Sequence, residues 1–453
     1  MTTQPLRKQA SKLVLAIALA TGTAMIAGHI VPDPAHAQRS KKKKKDKKEK
    51  GNAGEYSKEF LATYSELKTQ IDANPTGAGA LVPQLNALVT SAQSADERYT
   101  AGTLLYNAGI GTKDNALRLQ GMEQMISSGK APPEQLPAYN FTAYQLAEVQ
   151  EQYPKARGYL QAAIDGGYTN AQNKRSDLLT AMAQNYVRAG EHKQGLTILK
   201  QAIAEKKAAG EAIDTKLYQY GFSVAFNNEL TTELSEFAQM QVRDYPTQGN
   251  WRNAINVVRR YQDLDEGQEL DLLRLTRKVG AMTEKAEFMA YVDAARGKLT
   301  PYPKEVKEVI EAGYATSNLD RSDPYYTEVY DAVTRRVATD LEELASYTSE
   351  ARGASAKQST VLGAANTSLS YEKYTDAIDL YDKALAMAVP DKDEVLVRKG
   401  IAQIGSADYA GAQATFAQVG GARQSVAELW SLYASMQTGS NAMAPAAPAT
   451  MGG

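Results

Sequence analysis

Hydrophobic residues recur every three or four positions along most of the chain, with polar residues between them. Leu61, Tyr64, Leu67 and Ile71 show this spacing, which places them on one face of an α-helix. Glycine, proline and asparagine turn signals interrupt the pattern at short intervals. No segment shows the sustained apolar–polar alternation of a β-strand. The pattern therefore predicts an all-α protein between residues 55 and 437.

The helices are predicted to form pairs that repeat along the chain. Ala377 and Ala412 occupy matching places in two short helical segments, and they lie 35 residues apart. A period of this size indicates stacked helix pairs, which is an α-solenoid. Residues 324–352 depart from the pairs and are predicted as one longer helix, and residues 426–436 as a closing helix. We count about nine helix pairs besides these two.

Residues 177–209 resemble the unit of the tetratricopeptide repeat (TPR) family, in which two antiparallel helices form each repeat. Ala183, Gly195 and Ala202 stand where the two helices of that unit meet, and small side chains allow helices to approach closely. The resemblance implies a TPR-like superhelix whose first helices line a concave groove that binds a protein or peptide.

Weaker matches to the same unit occur elsewhere. Residues 138–167 depart from it at Tyr144, where a small residue is expected. Residues 217–246 keep Gly221 and Phe237, and the C-terminal pair has Gly400 and Phe416 at corresponding places. The predicted organisation is a signal peptide (1–37), a lysine-rich disordered arm (38–54), N-terminal TPR-like repeats (55–210), degenerate repeats with a long helix (211–352), a C-terminal TPR pair with a capping helix (353–437) and a disordered tail (438–453).

The first 37 residues have the features of a secretory signal. Arg7, Lys8 and Lys12 precede an apolar run over residues 13–27, and Ala35-His36-Ala37 is a small-x-small cleavage site. The run is too short for an ordinary membrane span. The chain also has no cysteine, which excludes a bacterial lipoprotein. We expect cleavage near Ala37, an exported bacterial protein in the periplasm or secreted, and no transmembrane segment in the mature chain.

A strongly basic segment follows the cleavage site. Residues 38–52 contain nine basic residues against Asp46 and Glu49, a net charge of +7, whereas the remaining body carries −10. Such an arm is typical of disordered chain. It could bind an anionic envelope surface, or it could be a solvated spacer, and nucleic acid is excluded because the body is acidic. The candidate polyanion-binding residues are Lys41, Lys42, Lys43, Lys44, Lys45, Lys47, Lys48 and Lys50.

Residue types that carry catalysis are scarce. After cleavage the only histidine is His192, expected in an exposed turn, so a zinc site of the usual composition cannot form. The chain has neither a glycine-rich phosphate loop nor a Gly-x-Ser-x-Gly elbow. We predict a protein without enzymatic activity, cofactor or metal. A hydrolase that uses paired carboxylates stays open as an alternative because acidic residues are abundant.

The TPR resemblance also implies which residues face the groove. Asn366 and Arg398 correspond to two members of the family's clamp for a peptide carboxylate, but Leu362 replaces its lysine. The 26 tyrosines also keep open a solenoid that binds peptidoglycan or carbohydrate, since sugar rings stack on aromatic side chains. The candidate groove-lining residues are Phe141, Gln145, Glu148, Asp177, Gln184, Arg188, Asn366 and Arg398.

Overall fold

The fold is known from a computed structural model, which describes residues 55–296 and 302–438. The predicted signal peptide and lysine-rich arm lie outside these ranges, as do residues 439–453 of the predicted tail. Within the described ranges every regular element is an α-helix or a 3₁₀ helix, and there is no strand. The all-α prediction is confirmed.

The chain divides into two units, with the boundary between Ile213 and Asp214. Unit 1 begins with α1 and α2 and continues with three hairpins, α3–α4, α5–α6 and α7–α8. Its helices are α1 (Lys58–Ala73), α2 (Val82–Ser91), α3 (Ala95–Thr112), α4 (Asn115–Ser127), α5 (Leu136–Val149), α6 (Tyr153–Asp165), α7 (Arg175–Arg188) and α8 (His192–Ala208), with a 3₁₀ helix at Pro75–Leu81.

Unit 2 contains shorter paired helices and one long helix. The long helix, α15, has the same bounds as in the sequence analysis. The helices are α9 (Thr215–Asn227), α10 (Thr231–Asp244), α11 (Gln248–Tyr261), α12 (Glu266–Lys278), α13 (Lys285–Arg296), α14 (Pro303–Ala315), α15 (Pro324–Arg352), α16 (Gln358–Ser370), α17 (Tyr374–Leu385), α18 (Lys392–Gly405), α19 (Tyr409–Phe416) and α20 (Gln424–Thr438), with a 3₁₀ helix at Gly421–Arg423.

Left-handed residues end the helices and turn the chain into the next one. Gly129, Gly167 and Gly210, which follow α4, α6 and α8, have positive φ angles that glycine adopts without strain. The turns inside the hairpins use Gly190 after α7 but Ala407 after α18, at φ angles of 83° and 65°. The remaining left-handed non-glycine residues are Lys113, Glu151, Glu229, Ser317 and Glu372.

Small residues bring the two helices of a hairpin together, as the sequence analysis expects. A Cβ atom added at Gly221 would lie under 3.0 Å from three ring carbons of Phe237, and one added at Gly400 would be as close to the ring of Phe416. Real carbon atoms in contact are about 3.5–4.0 Å apart. The ring of the second helix therefore fills the space that the glycine of the first helix leaves.

Side chains also join each hairpin to the next. The Tyr159 hydroxyl donates to Glu123 from 36 residues away, at 3.0 Å. In unit 2, Arg252 Nε donates to Glu287 from 35 residues away, at 2.9 Å. Contacts separated by about one repeat are the signature of a stack in which each hairpin packs on its neighbour. Each unit is thus an α-solenoid of TPR-like helix pairs.

Unit 2 closes on itself. Its last helix returns to α12, where Trp430 Nε1 donates to the Asp271 backbone oxygen at 3.0 Å across 159 residues. Arg423 forms ion pairs with both Asp265 and Asp391, each at 2.8 Å. Gln268 Nε2, on α12, donates to the Ala422 backbone oxygen at 2.7 Å. These bonds hold the beginning and the end of unit 2 together.

Candidate functional site

Three residues with exposed side chains lie on the first helices of successive hairpins of unit 1. Ile110, Val149 and Arg188 stand near the C-terminal ends of α3, α5 and α7, at intervals of 39 residues. Ile110 is 52% exposed and Val149 is 66% exposed, and the Arg188 side chain is 38% exposed. We call the surface defined by these three residues the unit 1 face.

Arg188 is held in place by a buried carboxylate on the neighbouring hairpin. Glu148 is 8% exposed and accepts hydrogen bonds from Arg188 Nη1 and Asn185 Nδ2. Asn185 is fully buried. The structure thus brings together Glu148 and Arg188, two of the residues expected to line a groove. A charge-assisted bond of this kind fixes the guanidinium position, while the exposed part of the side chain stays accessible to solvent.

The other groove candidates on α5 and α7 lie deeper. Phe141 is 9% exposed, and its ring stacks on that of Tyr168 with centroids 4.5 Å apart. Gln184 is 8% exposed and Gln145 is half-buried. Phe141 therefore belongs to the core of unit 1, about two helical turns before Val149 on α5.

Asp177 has a structural role at the other end of α7. Its carboxylate accepts a hydrogen bond from the Lys174 backbone N–H at 2.9 Å, which caps the helix. The same carboxylate pairs with Lys206 of α8 at 2.6 Å. Asp177 joins the two helices of its own hairpin and is separated from Arg188 by the length of α7.

The two clamp-like residues of unit 2 are bonded within the protein. Asn366 accepts a hydrogen bond from the Tyr381 hydroxyl at 2.8 Å. Arg398, which was expected to line a groove, is only 4% exposed, and it pairs with Glu394 at 2.5 Å and lies 3.7 Å from Asp271. Because the closed part of unit 2 surrounds it, Arg398 is a core residue in this structure.

A buried ionic cluster explains the position of Arg398. Arg274 pairs with Asp271 at 2.6 Å and forms two hydrogen bonds to Glu305, at 2.5 and 2.9 Å. Burial opposes the charge of Arg274, but Glu305 and Asp271 outweigh it and raise its pKa well above the ordinary value. The Tyr302 ring lies against both arginines, 4.5 Å from Arg274 and 5.6 Å from Arg398. Buried pairs of this kind fix one arrangement of helices.

Tyrosines serve mainly as bridges between helices. Several hydroxyls donate to a carboxylate on a different helix, as Tyr371 does to Asp340 at 3.1 Å and Tyr330 to Glu311 at 2.9 Å. Burial, together with the nearby Asp340, raises the pKa of Tyr371. Packing accounts for these tyrosines, and they supply no argument for sugar stacking. The same bridge is formed by Tyr159–Glu123, Tyr218–Asp244, Tyr291–Glu305 and Tyr325–Asp293.

Metal-binding side chains do not cluster in the part of the chain that the structure describes. Across residues 55–296 and 302–438, no three His, Cys, Asp or Glu side chains are placed to bind a metal ion. His192 is the first residue of α8 and is half-buried. Among the described helices, none has the length and apolar character needed to span a membrane.

Neither a protein-family model nor a curated protein matches the chain. Solved structures do match. One is described as a Rap protein complexed with competence and sporulation factor, with 12% identity, 81% of this chain and 92% of that chain covered, and a TM-score of 0.23. Another is a TPR2AB-domain:pHSP90 complex of yeast Sti1, with 16% identity, 66% and 95% covered, and a TM-score of 0.18. The fold assignment rests on the helix pairs described above.

The sequence analysis missed the two most exposed members of the unit 1 face. Ile110 and Val149 are apolar residues in helices, and the spacing of apolar residues alone assigns them to the core. Val149 and Arg188 lie one repeat of 39 residues apart, which was the available signal for that pair, whereas Ile110 stands one position before the matching place on α3.

Proposed function

We propose that the protein is an exported scaffold without enzymatic activity that binds a protein partner in the bacterial cell envelope through the unit 1 face. One observation carries the proposal: Ile110 and Val149 are exposed near the same end of successive first helices, and Arg188 is partly exposed at that end of the next one. Exposed apolar side chains near an arginine are typical of interaction surfaces.

The ligand that fits this face is an extended peptide segment. We expect two apolar side chains of the peptide opposite Ile110 and Val149 and a carboxylate opposite Arg188, spaced along an extended chain that advances about 3.3 Å per residue.

Binding should depend on the exposed apolar residues. The partner is first recovered by co-purification with the tagged mature chain from an envelope extract, and its binding segment is mapped with overlapping peptides. Calorimetry with that peptide should show about a tenfold or greater loss of affinity for Val149→Asp. Met289→Asp is the control, because Met289 is a 37% exposed apolar residue of unit 2. Equal affinity of both variants and the wild type would refute the unit 1 face as the binding surface.

Export and the lysine arm complete the proposal. Cleavage of the signal peptide after Ala37 predicts Gln38 as the first residue of protein recovered from the periplasm, and a chain that still begins at Met1 would contradict it.

We propose that the arm binds anionic envelope surfaces. Sedimentation with anionic lipid vesicles should then fall when residues 41–50 are deleted, and it should fall with added salt in the intact chain.

A further inference from the structure

The long helix α15 has one packed face and one exposed face. The packed face contacts the rest of unit 2 and includes Val333, Asp340, Thr348 and Ala351. The side of α15 next to this packed face carries Leu341, which is 66% exposed, as much as Val149. Its exposed neighbours on the same surface are Thr334, Ala338 and Ala345.

These four exposed residues have the spacing of a coiled-coil seam. The intervals from residue 334 to 338, 341 and 345 are four, three and four, which places the residues along one line of the helix at successive core positions of a heptad. We call residues 334, 338, 341 and 345 the α15 seam. A seam of small residues around one leucine allows a second helix to approach closely.

The charges beside the seam determine which helix fits it. Arg335 and Glu342 flank the seam on the same side, one heptad apart, and both are exposed. Neither forms an ion pair with another described residue. In an antiparallel pair of identical helices, these flanking positions face each other, so Arg335 would meet Glu342 of the partner subunit at both ends. In a parallel pair Arg335 would instead face Tyr330 of the partner subunit and Glu342 would face Val337 of the partner subunit, without any matching charge.

We propose that two copies of this chain associate through their α15 seams, antiparallel and around a two-fold axis. Ala338 packs against Leu341 of the partner subunit, and Thr334 packs against Ala345 of the partner subunit. Such an interface is self-complementary, as a two-fold symmetric contact must be. It is also short, so the dimer is concentration-dependent and dissociates on dilution.

Charge reversal tests the pairing. Sedimentation equilibrium of the mature chain should show a monomer–dimer equilibrium that Arg335→Glu or Glu342→Arg each weakens about tenfold, because each creates two like-charge contacts. The double variant, Arg335→Glu with Glu342→Arg, should restore the wild-type dissociation constant. Glu343→Arg is the control, since Glu343 lies on the side of α15 away from the seam. A wild-type chain that stays monomeric at all concentrations, or a double variant that is not restored, overturns the proposal.

Disulfide trapping tests the direction of the two helices. The chain has no cysteine, so any disulfide that forms must join the introduced cysteines. A mixture of Thr334→Cys chains with Ala345→Cys chains should form an interchain disulfide faster than either variant does by itself. A disulfide that forms best between two Thr334→Cys chains indicates a parallel pair and overturns the proposal. Absence of any disulfide enrichment in the mixture does so as well.

Discussion

The close contact between Gly400 and Phe416 determines whether an alanine at position 400 stabilises or destabilises the protein. Replacing a glycine with alanine inside a helix normally stabilises the helix by about 1 kcal/mol. Here the added methyl group would lie under 3.0 Å from three carbons of the Phe416 ring, and both residues are buried. Overpacking of this kind costs about 1–3 kcal/mol. We therefore expect Gly400→Ala to destabilise unit 2 by up to about 2 kcal/mol.

The measurement uses the two tryptophans of the chain, Trp251 and Trp430. Both are buried and both lie in unit 2, so urea unfolding followed by tryptophan fluorescence reports on that unit. Gly249→Ala is the matched control, because the atom nearest to an added Cβ there is 4.0 Å away. That variant should be neutral or more stable.

A double-mutant cycle identifies the ring as the cause. Phe416→Leu removes the clash, so adding Gly400→Ala to it should destabilise unit 2 by at least about 1 kcal/mol less than Gly400→Ala alone does. If Gly400→Ala is more stable than the wild type, the two helices have room for a methyl group, and the argument for close approach is wrong.

Further predictions concern two left-handed turn residues and two side chains with shifted pKa values. Ala407→Gly should stabilise unit 2 by up to about 1 kcal/mol by relieving the left-handed turn, and Gly190→Ala should destabilise unit 1 by a similar amount, both measured by urea unfolding. Burial opposes the charge of Glu97, but N–H groups of Ser57, Gln93 and Ser94 lower its pKa. The contribution of ionised Glu97 to stability is therefore fully present above the ordinary glutamate pKa and is lost as the pH falls through the lowered pKa. Glu97→Gln should flatten this pH dependence of stability in acid unfolding followed by circular dichroism. A variant as pH-dependent as the wild type would contradict this role. Burial raises the pKa of Tyr374 to about 12. Stability should fall as the pH rises above the ordinary tyrosine value, and Tyr374→Phe should reduce this fall in alkaline unfolding followed by circular dichroism, whereas a variant as pH-dependent as the wild type would refute it.

Features encoded locally could be predicted from the sequence. The bounds of the long helix and the close-packing glycines Gly221 and Gly400 follow from spacing within one or two helices, and the structure confirms them. Groove membership on α5 and α7 stays a prediction, and the structure shows that Glu148 and Arg188 are bonded to each other.

Features that depend on the cumulative arrangement of many successive hairpins could not be predicted from the sequence. The burial of Arg398 results from the return of α20 to α12, and that return depends on how far each intervening hairpin rotates. The exposure of Val149 was missed for a related reason, since apolar spacing does not show whether another helix covers a residue. The charge pattern and the repeat period identify buried charges and exposed apolar residues of this kind only when the three-dimensional arrangement of the hairpins is known.

The hydrogen bond between Trp430 and the backbone of Asp271 has a consequence for how the protein unfolds under heat or force. Unit 1 packs mainly between consecutive helices, so fraying from its first helix leaves a shorter but intact stack. In unit 2, detaching the last helix also uncovers α12 near the beginning, so damage at either end reaches the other. Heat or pulling force should therefore erode unit 1 gradually and disrupt unit 2 in a single step.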